Sequence, residues 1–257
     1  MSGPSLAEVK ASGQPPEVIS RLNDEHWAGR LYMRRVSPHA TWVFARLGWP
    51  PNAVTAGFIV CGVAAGAVVA LGGLWSAIAA AVLIQAYLLL DCSDGELARW
   101  SGKTSVTGVY LDGIGHYLGE TALLAGLGIR AQGQMHLSGP YVSVGLAAAV
   151  LAALVKAETD NVIVARAKTG LAGSHDDAAL APRGAGLALA RRLASALKIH
   201  RAIQAVELSL LILAAAVIDA ARGGLTATRV LTVACLVIAA LMVVAHLVAI
   251  VASRRLR

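Results

Sequence analysis

The chain has 257 residues, of which 57% are hydrophobic and 14% charged, and a mean hydropathy of +0.66. That composition excludes an ordinary soluble domain, and the lack of alternating segments of about ten residues excludes a closed β-barrel. The net charge of +7 lies beside apolar runs, which assigns it to anionic lipid headgroups and topology and leaves no case for nucleic acid.

Residues 1–16 are rich in Ser, Gly and Pro, and are expected to lack regular structure. No cleavable signal peptide is expected, because the first long apolar stretch begins only after residue 50. Over 17–50, Val18, Leu22, Trp27, Leu31 and Tyr32 alternate with Arg21, Arg30, Arg34 and Arg35. This pattern predicts an amphipathic helix region along the membrane surface, with Trp27, Trp42 and Trp49 at the interface.

Residues 51–252 read as one membrane domain. Apolar runs at 53–72, 75–92, 105–128, 140–165, 202–221 and 228–251 predict six transmembrane helices, at about 20 residues per crossing. The second and fourth end in polar residues and are expected to project beyond the hydrocarbon. Gly62 and Gly66 form a GxxxG pair suited to helix packing. Cys61, Cys92 and Cys235 are spread through apolar runs, with neither disulfide nor zinc spacing. Basic residues concentrate in 21–46, at Arg99 and Lys103, in 166–201 and in the tail 253–257, against Arg130, Arg222 and Arg229 in the opposite connections. The positive-inside rule then places both termini in the cytoplasm. A short amphipathic helix is expected near 185–198, and His175, Asp176 and Asp177 read as a solvated turn.

Ionisable residues at membrane depth are functional candidates, and here they gather in one segment, DCSDGELARWSGKTSVTGVYLDGIGH. Asp91, Asp94 and Glu96 end the second run, and Asp112 and His116 open the third. At about 100° per residue, Asp91 and Asp94 lie within about 60° of each other on a helix. Gly95 and Ala98 share that face and let a ligand approach the backbone. Gly108, Asp112 and His116 make a second stripe, which a turn through Ser101–Gly102 brings beside the first. Converging carboxylates repel unless cations lie between them. Oxygen ligands suit Mg²⁺ or Mn²⁺, a pair of such ions suits phosphoryl displacement, and Arg99 and Lys103 offer charge to a diphosphate.

These residues also carry a resemblance. Asp91, Asp94, Gly95, Ala98, Arg99, Gly108 and Asp112 match the pattern D-x2-D-G-x2-A-R-x8-G-x3-D-x3-D of the CDP-alcohol phosphotransferase family. Seven fixed positions agree by chance roughly once in 10⁸–10⁹ starts. Pro51, Asn52 and Thr55 resemble the Pro-Asn-x-x-Thr opening of the first span in many members. The resemblance covers about residues 30–252 and implies six helices around a polar cavity open to the cytoplasm. It implies two divalent ions on Asp91, Asp94 and Asp112, and nucleotide contacts from Gly95, Ala98, Arg99 and Gly108. It further implies a CDP-linked lipid donor, a polar alcohol acceptor, CMP as the leaving group and a capacity to form homodimers. CDP-diacylglycerol is the expected donor; a CDP-linked soluble alcohol is chemically equivalent.

The last Asp of the pattern is His116 here. Either the imidazole does the base work beside Asp112 and can also ligate a metal, with Glu120 one turn further to orient the ring or restore the missing carboxylate, or the site binds without turnover. Lys156, Glu158, Asp160, Asn161 and Arg166 face either the site, where they would select the acceptor, or solvent, with Lys156 and Asp160 paired along their helix. Lys198 and Arg201 are assigned to a phosphate or to topology, and His246 to packing.

Overall fold

The computed structural model describes residues 4–16, 27–133, 135–170 and 199–252, and it is all-helical. The expected helix at 185–198, the expected turn at His175–Asp177, Lys198, the tail 253–257 and the first part of the expected amphipathic region (17–26) lie outside the described residues.

The N-terminal segment corrects the expectation of irregular structure over 1–16, because Leu6–Gly13 form a helix, α1. Ser5 and Glu8 build a capping box: the Ser5 hydroxyl accepts from the Glu8 amide, and the Glu8 carboxylate accepts from the Ser5 amide. Those bonds to Ser5 hold the Glu8 carboxyl below its ordinary pKa. Composition alone favoured disorder; what it misses is that α1 has a docking surface, described below.

A π-helical turn, Gly29–Met33, leads into α2, Arg34–Arg46. Pro38 sits inside α2 and cannot donate to the carbonyl four residues back, that of Arg34. The Gln14 side-chain amide donates to that carbonyl instead, at 2.9 Å.

Six long helices follow. They are α3 (Pro51–Ala70), α4 (Gly73–Ser101), α5 (Val106–Gln132), α6 (Pro140–Lys168), α7 (Ala205–Arg222) and α8 (Thr226–Ala252). Prolines open α3 and α6, where the missing N–H costs nothing. Asp219 at the end of α7 caps α8 by accepting from the Ala227 and Thr228 amides, at 2.8 and 2.9 Å. Among the described residues, four helices are long and apolar enough to cross a membrane: α3, α4, α6 and α8. The other two predicted spans, α5 and α7, are interrupted by ionisable groups, Asp112, His116, Glu120 and Arg130 in one and Glu207, Asp219 and Arg222 in the other. Outward side chains such as Val60, Val150, Leu241 and Val244 are each more than 60% exposed, as suits contact with lipid. At 29 residues each, α4 and α6 are about 43 Å long, more than the hydrocarbon core of about 30 Å, so they outreach it.

The helix α3 packs on both α4 and α5. Its GxxxG pair makes this close approach: a Cβ at Gly62 would stand 3.0 Å from the Gly119 Cα, and one at Gly66 would overlap the Ala122 backbone. Phe58, one turn before Gly62, fills the space over Gly115 of α5. This tight pairing sets α3 against the middle of α5.

Candidate metal centre

The site forms where α4 turns into α5. Gly102 ends α4 in the left-handed conformation at φ +66, and the amides of Gly102 and Lys103 return to the carbonyls of Arg99 and Ala98. Ser105 then caps α5, accepting from the Gly108 amide at 3.0 Å. The reversal places the last turns of α4 against the first turns of α5.

Asp91, Asp112 and His116 meet there, with ligand atoms all within 4.8 Å of one another. His116 Nε2 lies 3.3 Å from Asp91 Oδ1 and 3.7 Å from Asp112 Oδ1. Its Nδ1 lies 2.8 Å from the Tyr87 hydroxyl, and Phe58 packs beside the ring. When Nδ1–H donates to Tyr87, Nε2 turns a lone pair toward the two carboxylates, as either a metal ligand or a base requires.

Asp94 stands one turn along α4 from Asp91. It is buried, and its Oδ2 accepts from the Thr55 hydroxyl at 2.7 Å. Asp94 is thus held by α3, outside the three-ligand group. Thr55 and Asn52 belong to the Pro-Asn-x-x-Thr segment, and the structure shows what they touch. Thr55 bonds Asp94, while Asn52 Oδ1 would be 3.1 Å from a Cβ on Gly108. On α4, the Arg99 guanidinium lies over Gly95, with Nη1 3.2 Å from where a Cβ would stand. Ala98 precedes it, half-buried.

Glu96 is not part of this group. It is 1% exposed on another face of α4, and accepts from Gln14 Nε2 (2.7 Å), Ser37 Oγ (2.6 Å) and Thr41 Oγ1 (2.7 Å). Helical geometry explains the split: Glu96 is about 140° from Asp91 around the helix axis.

The charged end of α6 does face α5. Lys156 Nζ lies 3.2 Å from Glu120 Oε1, and Asp160 accepts from the Tyr117 hydroxyl at 2.7 Å. The expected alternative, a Lys156–Asp160 pair along one helix, gives way to partners across the α5–α6 interface. Glu120 pairs with Lys156, and the Tyr87 hydroxyl contacts His116 Nδ1. Sequence reasoning missed Tyr87, although its place one turn before Asp91 was a usable signal. His246 is half-buried on α8, with Nε2 2.9 Å from the Thr159 hydroxyl.

Among the described residues, an all-helical architecture with four helices able to cross a membrane, and with carboxylates and an imidazole converging where two helices meet, defines an integral membrane protein with a polar site at a helix junction. Comparison with known families then names the class: the chain belongs to the CDP-alcohol phosphatidyltransferase family, whose model matches residues 49–254. It is accordingly a transferase of the CDP-alcohol phosphotransferase type, acting in phosphoalcohol transfer for phospholipid synthesis. No individual curated protein matches the chain significantly.

Proposed function

We propose that the protein transfers a phosphatidyl or related phosphoalcohol group from a CDP-alcohol, CDP-diacylglycerol in the first instance, to the hydroxyl of a polar alcohol, releasing CMP. The observation that carries this reading is the convergence of Asp91, Asp112 and His116 at the junction of two helices that bear the rest of the family pattern.

The donor set fits a hard or borderline divalent ion. The ligand atoms of Asp91 and Asp112 lie within 4.8 Å of each other, close enough for the carboxylates to share a small divalent ion. We assign two Mg²⁺ or Mn²⁺ ions to Asp91, Asp94 and Asp112, with the His116 imidazole beside them as the base. Thr55 holds Asp94 in place through Oδ2. Bound there, the ions would neutralise phosphate charge and steady the attacking and leaving oxygens.

The protein's own groups do the rest. Arg99, Gly95, Ala98 and Gly108 receive the nucleotide, the guanidinium and bare backbone accommodating the diphosphate. The acceptor oxygen forms a bond to the β-phosphorus, the bond from that phosphorus to the bridging oxygen breaks, and CMP departs with the electron pair. The acceptor's proton passes to His116 Nε2, whose ring Tyr87 holds in place. We assign acceptor selection to Lys156 of α6, which Glu120 of α5 holds at 3.2 Å.

All six long helices cross the membrane in this reading. The ionisable groups of α5 and α7 are compatible with that depth because they have partners: Glu120 has Lys156, Arg130 donates to Gly73 O and Ser76 Oγ, and Asp219 caps α8. The basic connections put the site and both termini in the cytoplasm, and homodimer formation follows from the family resemblance.

The test is CMP release by purified protein supplied with CDP-diacylglycerol, Mg²⁺ or Mn²⁺ and a panel of polar alcohols. Release that requires metal and one particular alcohol, and that falls about 10³-fold or more in Asp112→Asn, supports the reading. Metal-dependent CDP binding without any release would instead identify a silent family member in which His116 has ended turnover.

A further inference from the structure

The N-terminal helix lies outside the residues that match the family, yet it touches the helix that bears most of the pattern. We infer that α1 is a positioning clamp for Arg99, setting the guanidinium where the donor nucleotide binds; this rests on the nucleotide reading given above.

Arg99 is held from two sides. Its Nε donates to the Gly13 carbonyl at 2.7 Å, an acceptor at the C-terminal end of α1, where helix carbonyls lack intrahelical partners and carry partial negative charge. Its terminal nitrogens lie over Gly95, with Nη1 3.2 Å and Nη2 3.6 Å from a Cβ placed there. A long, flexible side chain pinned at Nε loses rotamer freedom before any ligand arrives, so less ordering entropy opposes binding.

The clamp needs α1 to be fixed to the rest of the protein, and three contacts do so. At its start, Trp42 Nε1 of α2 donates to the Pro4 carbonyl at 2.9 Å. At its end, Gln14 Nε2 reaches both Glu96 Oε1 at 2.7 Å and the Arg34 carbonyl left without a helical donor by Pro38. Between them, Gly13 presses against the α4 backbone, where a Cβ would come within 3.1 Å of the Glu96 Cβ. Glu96 is therefore the anchor: a fully buried carboxylate that ties α1 and α2 to α4 one turn before Arg99, with Arg34 Nη1 at 3.7 Å adding a cation.

The experiment compares full-length protein with Gln14→Ala, Gly13→Val, Arg99→Ala and the Arg99→Ala double variants. CMP affinity is titrated with Mn²⁺ present, and KM is measured for CDP-diacylglycerol and for the acceptor. Losing an aligned charged hydrogen bond predicts a rise of about tenfold in CMP Kd and donor KM for Gln14→Ala and Gly13→Val. Acceptor KM should be unchanged, and no further rise should appear in the Arg99→Ala background. A role confined to stability would lower Tm and add its loss in both backgrounds. Unchanged CMP Kd in both variants, or equal losses with and without Arg99, overturns the clamp while leaving the nucleotide site intact. Failure of the wild-type protein to bind CMP overturns the nucleotide reading, and the clamp's function with it.

Discussion

Replacing Gly66 by Ala tests the packing that brings the two halves of the site together. A Cβ at this position would stand 2.7 Å from the Ala122 Cβ and closer still to the Ala122 carbonyl group, whereas ordinary contact begins at 3.4 Å. Backbone atoms of a neighbouring helix cannot rotate aside, so α3 and α5 must part by about 1 Å, at an overpacking cost near the upper end of about 1–3 kcal/mol. Alanine recovers about 1 kcal/mol of helix propensity, leaving a net loss of about 2 kcal/mol. For a chain of this size that lowers Tm by roughly 4–8 °C. Gly57→Ala on the same helix is the control, because its Cβ meets only the end of the Leu90 side chain, at 3.5 Å. The assay is paired thermal unfolding in detergent at one scan rate, since membrane proteins unfold irreversibly. Activity should fall with stability, because the helices driven apart carry Thr55 on one side and Asp112 and His116 on the other. A Gly66→Ala protein as stable as Gly57→Ala would refute the close approach.

Two further outcomes bear on the chemistry. Because His116 stands as the base beside the carboxylates that would hold the ions, His116→Ala should cut kcat by about 10²-fold or more while Mn²⁺ affinity, read by electron paramagnetic resonance, is kept. An unchanged kcat would remove His116 as the base, and a loss of Mn²⁺ affinity would place it among the metal ligands instead. Tyr87→Phe deletes the hydroxyl at 2.8 Å from His116 Nδ1 and should cut kcat by about tenfold or more with donor KM preserved. A rise in donor KM with kcat intact would show that Tyr87 serves the nucleotide rather than the imidazole.

The sequence by itself determined the helices and the acidic segment. Each predicted run became a helix, with α4 and α6 longer than a bilayer core, because apolar length and proline or glycine punctuation act locally. The spacing of Asp91, Asp112 and His116 sufficed to bring them together, since each stripe is set by the helical repeat and the turn between them spans only residues 102–105. What the sequence left open are relationships across long separations. Gln14 bonds Glu96 from 82 positions away, and no periodicity links a Ser-, Gly- and Pro-rich terminus to a carboxylate on α4. The same limit hid the division between Asp94, held by Thr55 of α3, and Glu96, held by α1 and α2. Helical phase separates their faces, but only the tertiary structure decides which neighbour covers each. Lys156 follows that rule too: Asp160 was available to it one turn along α6, and packing against α5 supplied Glu120, where a buried carboxylate needs a cation more than an exposed one does.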